Sequence, residues 1–153
     1  MDPSKFVIPT GGGEGAYYCV KYIAERKINH SSVTLLSISD DLTKYNKTSS
    51  RRKAEERIQR QLQSQLKCME YCKANKLSCK VDSVTSYIPS DGKTSSERVA
   101  SEVCEYATKN NIGNIMSGSR NLTGLKRWVV GSIGMILHRD CDKCTFIQVR
   151  NPK

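Results

Sequence analysis

The sequence predicts a three-layer α/β domain spanning residues 1–153, in which helices cover both faces of a five-stranded, mostly parallel sheet. Two observations predict this class. Short apolar runs alternate along the chain with segments whose apolar residues recur at three- and four-residue spacing, as expected for strands that alternate with helices. The resulting five strands and four helices occupy nearly all of the 153 residues, about the length of one domain.

The first half of the chain predicts three strands and two helices. Strands are expected at 6–8, 33–38 and 77–84, where apolar and β-branched residues cluster. The first helix is indicated by Ala16, Cys19, Val20, Ile23 and Ala24. The polar and basic stretch 40–53 is expected to be an exposed loop leading into a long second helix, about 51–75. That helix is predicted to bury Ile58, Leu62, Leu66, Met69 and Cys72.

The second half predicts the remaining helices and strands. After the turn-forming stretch 87–93, Thr94 and Glu97 have the spacing of a capping box and are predicted to start the third helix. Its apolar face is formed by Val99, Val103, Cys104 and Ala107. The other elements are a strand at 112–117, a helix at about 126–139 and a last strand at 144–150. The fourth helix is predicted to bury Val129, Ile133, Ile136 and Leu137.

Composition narrows the class of protein. Hydrophobic residues make up 37% and charged residues 26%, which is typical of a globular rather than a disordered chain. No apolar run approaches the ~18–20 residues that span a membrane, and residues 1–9 hold no apolar stretch long enough for a signal peptide. We therefore expect a cytoplasmic protein that does not enter a membrane. Its seven cysteines are expected to be mostly reduced thiols.

Two unusual loops follow predicted strands and indicate where a ligand could bind. The glycine-rich segment 9–15 follows the first strand, and the Gly/Ser/Asn segment 118–124 follows the fourth. In open α/β sheets ligands bind at the carboxyl ends of the strands, where the strand order reverses. Segment 131–134 adds two glycines to a predicted helix, where glycine costs about 1 kcal/mol relative to alanine. Neither the P-loop motif nor Gly-x-Gly-x-x-Gly is present, so each loop alone is also consistent with an ordinary turn.

Residues 118–150, GSRNLTGLKRWVVGSIGMILHRDCDKCTFIQVR, resemble the C-terminal signature of the universal stress proteins. Nucleotide-binding members of that family carry Gly-x-x-Gly, nine residues, then Gly-Ser or Gly-Thr. Here Gly118 is in place, Asn121 replaces the second glycine, and nine residues lead to Gly131 and Ser132. Residues 9–11 resemble the family's segment after the first strand, where Gly11 stands in place of the usual aspartate.

The resemblance implies an ATP or AMP site, which could include Mg²⁺, between the ends of strands one and four. Both loops can reach one nucleotide only if these strands are neighbours, which gives the order 3-2-1-4-5 and a Rossmann-like fold. Ribose and adenine would be bordered by Pro9, Thr10, Gly11 and Ile38. The phosphates would be held by Gly118, Arg120, Asn121, Gly131 and Ser132, with Ile133 beside them.

The resemblance implies a regulatory or stress-protective protein rather than a dedicated enzyme. No Ser-His-Asp set, Cys-His set or paired carboxylates can be assembled into a catalytic centre, so a dedicated hydrolase is not expected. The resemblance implies at most slow ATP hydrolysis, as some relatives show. The last strand, 144–150, would lie at the sheet edge, and relatives dimerise through it, so we expect a homodimer. The alternative is a nucleotide-free family member that acts as a dimeric interaction module.

Two further kinds of ligand, a metal ion and a nucleic acid, have less support in the sequence. His138, Cys141 and Cys144 include the Cys-x-x-Cys spacing of metal and redox sites. Because the sequence offers no obvious fourth ligand, no structural metal is expected. The net charge is +10, and basic residues cluster at Lys44, Lys47, Arg51, Arg52, Lys53, Arg57 and Arg60. Because Glu55 and Glu56 interrupt that cluster and few aromatic residues lie near it, the pattern favours a solvated helix face over a nucleic-acid site.

Overall fold

The computed structural model describes residues 1–11, 13–87, 92–118, 120–121, 128–129 and 132–150. Within them the strands are β1 (Asp2–Pro9), β2 (Ser32–Asp40), β3 (Cys79–Ser86), β4 (Ile112–Gly118), β5 (Arg120–Asn121), β6 (Trp128–Val129) and β7 (Thr145–Val149). The helices are α1 (Gly15–Glu25), α2 (Thr48–Ala74), α3 (Gly92–Lys109) and α4 (Ser132–Asp140). A short 3₁₀ turn, Leu42–Lys44, lies between β2 and α2.

Five of the strands form one parallel sheet in the order β3-β2-β1-β4-β7. This confirms the predicted class and the predicted order 3-2-1-4-5, with β7 as the fifth strand. The central strands β1, β2 and β4 are apolar on both faces because a helix layer covers each face. The strand order reverses between β1 and β4, whose central residues Val7 and Ile115 are paired.

Each face of the sheet has its own apolar core. On one face, α1 and α2 pack against Phe6, Ile8, Val33, Leu35 and Met116. On the other, α3 and α4 pack against Val7, Leu36, Ile38, Ile112 and Ile115. Alternate residues of each strand therefore enter different cores, as the two-residue period of a strand requires. No helix among the described residues combines the length and the apolar content needed to cross a membrane.

The long helix α2 buries only part of the face predicted for it: Cys72 is buried and Met69 packs against the core, but two leucines do not. Leu62 and Leu66 are 46% and 66% exposed. Its inward face instead carries Gln61 and Gln65, whose amides donate to the carbonyl oxygens of Ile38 (3.1 Å) and Leu35 (3.2 Å). Apolar spacing misjudged the face because glutamine can satisfy strand carbonyls beneath the helix. The helix also begins at Thr48, so the predicted loop over 40–53 was too long.

Two predicted helix starts were wrong. Helix α3 begins at Gly92, which puts Thr94 inside the helix rather than at its N-cap. Helix α4 begins at Ser132, not near residue 126, because Trp128 and Val129 form β6 and pair with β5. Val129 is therefore not on the buried face of a helix. Most of the predicted turn at 87–93 lies outside the described residues.

Four of the seven cysteines form disulfides, so the prediction of mostly reduced thiols was wrong. Cys72 pairs with Cys79 and Cys104 with Cys141, at Cα–Cα distances of 6.2 and 5.8 Å. Both distances lie in the range that a disulfide can bridge. Cys19, Cys68 and Cys144 are free thiols. The pairing depends on which helix ends and strand ends meet in the fold, which residue spacing along the chain does not reveal.

Candidate functional site

The ends of β1 and β4 meet at the point where the strand order reverses. After β1 the chain passes through the glycine-rich loop into α1, whose first residue, Gly15, packs against Gly118 at the end of β4. A Cβ atom on Gly118 would stand 2.5 Å from the Cα atom of Gly15. The end of the first predicted ligand loop, Gly15, thus touches the start of the second, Gly118, backbone to backbone.

On the β1 side, Thr10 is held by the sheet and Gly11 is open. The amide of Thr10 donates to the carbonyl of Leu36 at 2.8 Å, and its buried hydroxyl donates to the same oxygen at 3.2 Å. Pro9 ends β1 and is half-buried. Gly11 is exposed, and a Cβ atom built on it would meet nothing within 4 Å. A side chain longer than hydrogen therefore fits at position 11.

At the end of β2, the predicted adenine contact is almost wholly enclosed. Ile38 is 4% exposed and belongs to the core beneath α3 and α4. The structure thus places it close to the carboxyl edge of the sheet but leaves little of its side chain open to a ligand. Its contact with adenine stays a prediction.

A buried charge pair closes the same end of β2, and sequence reasoning missed it. The Asp40 carboxylate, with a side chain 1% exposed, accepts hydrogen bonds from the Arg57 guanidinium at 2.8 and 3.0 Å. It also accepts one from the Tyr45 hydroxyl at 2.6 Å. Burial and this carboxylate raise the pKa of Tyr45 to about 12. Because the Asp40 side chain is 1% exposed and already accepts three hydrogen bonds, it is not open to the ribose as a substitute for the acceptor missing at Gly11.

Glu14, the residue before α1, is bound by a lysine of the neighbouring helix α2. Glu14 accepts hydrogen bonds from Lys67 of α2 at 2.8 Å and from the Tyr18 hydroxyl at 3.0 Å, and both contacts lower its pKa. The Lys67 ammonium also lies 4.4 Å from the centre of the Tyr17 ring, a cation–π contact. These contacts are exposed, so they orient the glycine-rich loop more than they stabilise the fold.

On the β4 side, the predicted residues that the structure describes lie on three successive parts of the chain. Gly118 ends β4, Arg120 and Asn121 form β5, and Ser132 begins α4. Ile133 follows in α4 and is half-buried against the core. Gly131 lies outside the described residues. The free backbone amides at a helix N-terminus, such as the start of α4, favour an anionic group.

Some residues of the possible metal site and of the basic cluster have other partners in the structure. Cys141 is paired with Cys104, which removes it from a Cys-x-x-Cys site with Cys144. Within the described part of the chain, no three His, Cys, Asp or Glu residues converge as metal ligands. In the basic cluster, Arg57 is committed to Asp40 and Arg51 to Glu55, at 3.3 Å.

Comparison with known proteins gives one family. The model of the universal stress protein family matches residues 4–143. The solved structure of the hypothetical protein MJ0577 is 16% identical with a TM-score of 0.66, over 98% of this chain and 97% of that one. Universal stress protein UspA from Lactobacillus plantarum is 17% identical with a TM-score of 0.59, over 98% and 100%.

A third solved structure holds a ligand. The universal stress protein family protein from Arabidopsis thaliana, with AMP bound, is 13% identical with a TM-score of 0.57, over 97% of this chain and 92% of that one. At these identities the structural likeness shows the fold alone. Among curated protein sequences, none matches this chain significantly.

Proposed function

The chain belongs to the universal stress protein family, and from this premise we propose that it binds an adenine nucleotide, ATP or AMP, at the carboxyl ends of β1 and β4. The observation that carries the proposal is the contact between Gly15 and Gly118. It joins the two ligand loops at the reversal of strand order, where open α/β sheets bind ligands. The AMP bound by the Arabidopsis thaliana relative supports the class of ligand.

The phosphates would lie at the start of α4. Backbone amides of Gly118 and Asn121 would wrap them, and Ser132 would contribute its hydroxyl and amide at the helix N-terminus. Gly131 would let the backbone come close to the phosphate, and Arg120 would supply complementary charge. Mg²⁺ would accompany ATP through the phosphate oxygens. The bound nucleotide would serve a regulatory or stress-protective role, with at most slow hydrolysis.

Ribose and adenine would lie on the β1 and β2 side. Pro9, the backbone of Thr10, and Gly11 would border them, with Ile38 beneath the adenine. Because Gly11 offers no carboxylate and Asp40 is engaged by Arg57, the ribose would lack a charged acceptor there. Binding would therefore rest mainly on the phosphates. The same observation favours the second candidate, a nucleotide-free member that acts as a dimeric interaction module.

In both candidates the protein would be a homodimer that pairs its β7 strands, and it would act in the cytoplasm. Strand β7 is one edge of the sheet, and Phe146, Ile147 and Gln148 are only half-buried there. An open edge with apolar residues and no proline can add another strand. Antiparallel pairing of two copies about a two-fold axis would close it.

The test is direct binding to the purified protein. Nucleotide released on denaturation is identified by mass spectrometry, and calorimetry with millimolar Mg-ATP and AMP measures affinity. Gly131→Val and Ser132→Ala are each expected to weaken binding while the urea unfolding midpoint changes little. Ser101→Ala, on the exposed surface of α3, serves as the control. No released nucleotide and no heat with either ligand would reject nucleotide binding and leave the dimeric interaction module.

A further inference from the structure

Helix α4 is short, and its main neighbour among the described elements is α3. It has nine residues, Ser132–Asp140, fewer than an isolated helix needs to persist in water. Of its side chains from Ile133 onward, Leu137 is fully buried, and Ile133 and Ile136 are half-buried against the core. The position of its N-terminus therefore depends on how firmly the rest of the helix is attached to α3.

One covalent bond reinforces the packing of α4 on α3. The amide of Cys141 donates to the carbonyl of Leu137 at 3.0 Å, so Cys141 closes the last turn of α4. Its sulfur is bonded to Cys104, which lies two-thirds of the way along α3. The bond links residues 37 apart in sequence, and it fastens the helix end opposite Ser132.

A groove open to solvent leads to this disulfide. The groove, about 780 Å³, runs between α3 and α4, and Ala100, Leu137 and both bonded cysteines form its apolar floor. Cys141 is 5% exposed, whereas Cys104 is half-buried and is the more accessible of the two residues. The mouth carries Glu97, Glu105, Lys109 and Arg139, so charges of both signs surround it.

The third cysteine of this core does not compete for the bond. Cys144 donates from its thiol to the carbonyl of Ile112 at 3.5 Å, and burial raises the pKa of the thiol. It is therefore held as a neutral thiol at ordinary pH and is a poor nucleophile. The other disulfide, Cys72–Cys79, joins the end of α2 to the start of the next strand, seven residues on. Its loss would free no helix that borders the proposed site.

We propose that Cys104–Cys141 is a reducible latch: a dithiol opens it, α4 loosens from α3, and nucleotide binding at the start of α4 weakens. The effect on nucleotide rests on the proposed function, whereas the loosening of α4 does not. A disulfide in a cytoplasmic protein is more often redox-responsive than permanent. The latch thus accounts for a disulfide at the bottom of a solvent-open groove.

The chemistry is ordinary thiol–disulfide exchange. A thiolate of the dithiol attacks the Cys104 Sγ atom, the Cys104–Cys141 bond breaks, and Cys141 leaves as a thiolate that takes a proton from water. The second thiol of the reductant then attacks the mixed disulfide and releases Cys104. One protein disulfide becomes two thiols, and the dithiol is oxidised to its own disulfide.

The first experiment measures amide hydrogen exchange with and without dithiothreitol, after peptide mapping has verified the oxidised and reduced states. Reduction is expected to speed exchange in residues 133–141 more than in α1 or α2. Cys104→Ser should show the fast exchange without reductant and no response to it. Cys144→Ser should respond like the original protein, and so should Cys79→Ser. Unchanged exchange in 133–141 after complete reduction would overturn the latch, as would a mapped protein that never forms the Cys104–Cys141 bond under oxidising conditions.

The second experiment measures Mg-ATP affinity of the same samples. Reduction is expected to weaken binding at least about fivefold, the lower end of ordinary coupling between sites. Cys104→Ser should bind as weakly as the reduced protein. Equal affinity in both states would overturn the coupling while the proposed function stands. No binding by the oxidised protein would overturn the proposed function and the coupling together, and faster exchange in 133–141 would still support the latch.

Discussion

Gly15 and Gly118 touch backbone to backbone, since a Cβ atom on Gly118 would stand 2.5 Å from the Cα atom of Gly15 and 2.9 Å from its carbonyl oxygen. The sequence motif assigns Gly118 to the phosphates, but packing requires a glycine there in any case. The contact therefore gives this glycine a structural role that exists with or without a ligand.

Gly118→Ala is expected to destabilise the protein by about 1–3 kcal/mol, because the added methyl group must displace backbone rather than a flexible side chain. The matched control is Gly11→Ala, where the new methyl group meets nothing within 4 Å and stability should hardly change. Urea unfolding of both variants measures the difference. Equal midpoints for the two variants would contradict the prediction.

Gly11→Asp is expected to tighten nucleotide binding by restoring a carboxylate for the ribose hydroxyls. A Cβ atom at position 11 meets nothing within 4 Å, and a hydrogen bond to a charged group contributes about 1.5–3 kcal/mol, which is about tenfold or more in affinity. Gly13→Asp, also in open space, adds the same charge two residues away as a control. Calorimetry with AMP and Mg-ATP measures both affinities. If Gly11→Asp binds nucleotide no more tightly than the original protein, the ribose does not lie at position 11.

Two tyrosines are expected to titrate late and to make the fold sensitive to alkali. Burial, followed by the hydrogen bonds to Asp40 and Asp82, raises the pKa of Tyr45 and of Tyr106 to about 12. An unfolded tyrosine loses its proton near pH 10. The stability that the protonated hydroxyls contribute is thus fully present below pH ~10 and is lost as the pH rises towards ~12.

Ultraviolet titration of tyrosinate absorbance, paired with urea unfolding at each pH, measures both effects. Tyr45→Phe and Tyr106→Phe should each remove one late titration step and flatten the loss of stability between pH ~10 and ~12. Early ionisation of every tyrosine in the folded protein would refute the prediction.

Ile147→Pro is expected to shift a dimer towards monomer, because proline removes a backbone donor from the edge strand β7 and bends it. Sedimentation at tens of micromolar measures the change. Val81→Pro on β3, the opposite edge of the sheet, does comparable local damage and should leave the dimer intact. Circular dichroism confirms that each variant is folded. If the original protein sediments as a single monomer, or if Val81→Pro alone dissociates it, pairing through β7 is wrong.

The two disulfides are expected to stabilise the fold unequally. In the chain-entropy account, closing a loop between residues 37 apart contributes about 4 kcal/mol, and closing one between residues seven apart contributes about 2.5 kcal/mol. Cys104→Ser should therefore cost more stability than Cys79→Ser under oxidising conditions. Urea unfolding compares them, and the gap should vanish when both proteins are reduced. A larger loss for Cys79→Ser would contradict this order.

The sequence by itself, with the resemblance it carries, determined the sheet and its strand order. The apolar strands at 6–8, 33–38 and 112–117 are buried on both faces. A continuous apolar run predicts such burial even when the elements that cover the strand are unknown. The glycine motif that begins at Gly118 identified the family by spacing along the chain, and its position in the fold follows from the order of elements.

Only the tertiary structure decided which side chains meet across elements. Gln61 and Gln65 are inward because strand carbonyls lie beneath them, and Asp40 is engaged because Arg57, 17 residues later, folds back over the end of β2. Cys141 binds Cys104 rather than Cys144 because α3 and α4 pack side by side. Periodicity reports the environment averaged over an element, whereas each of these partners comes from a distant stretch of chain whose approach depends on the whole packing arrangement.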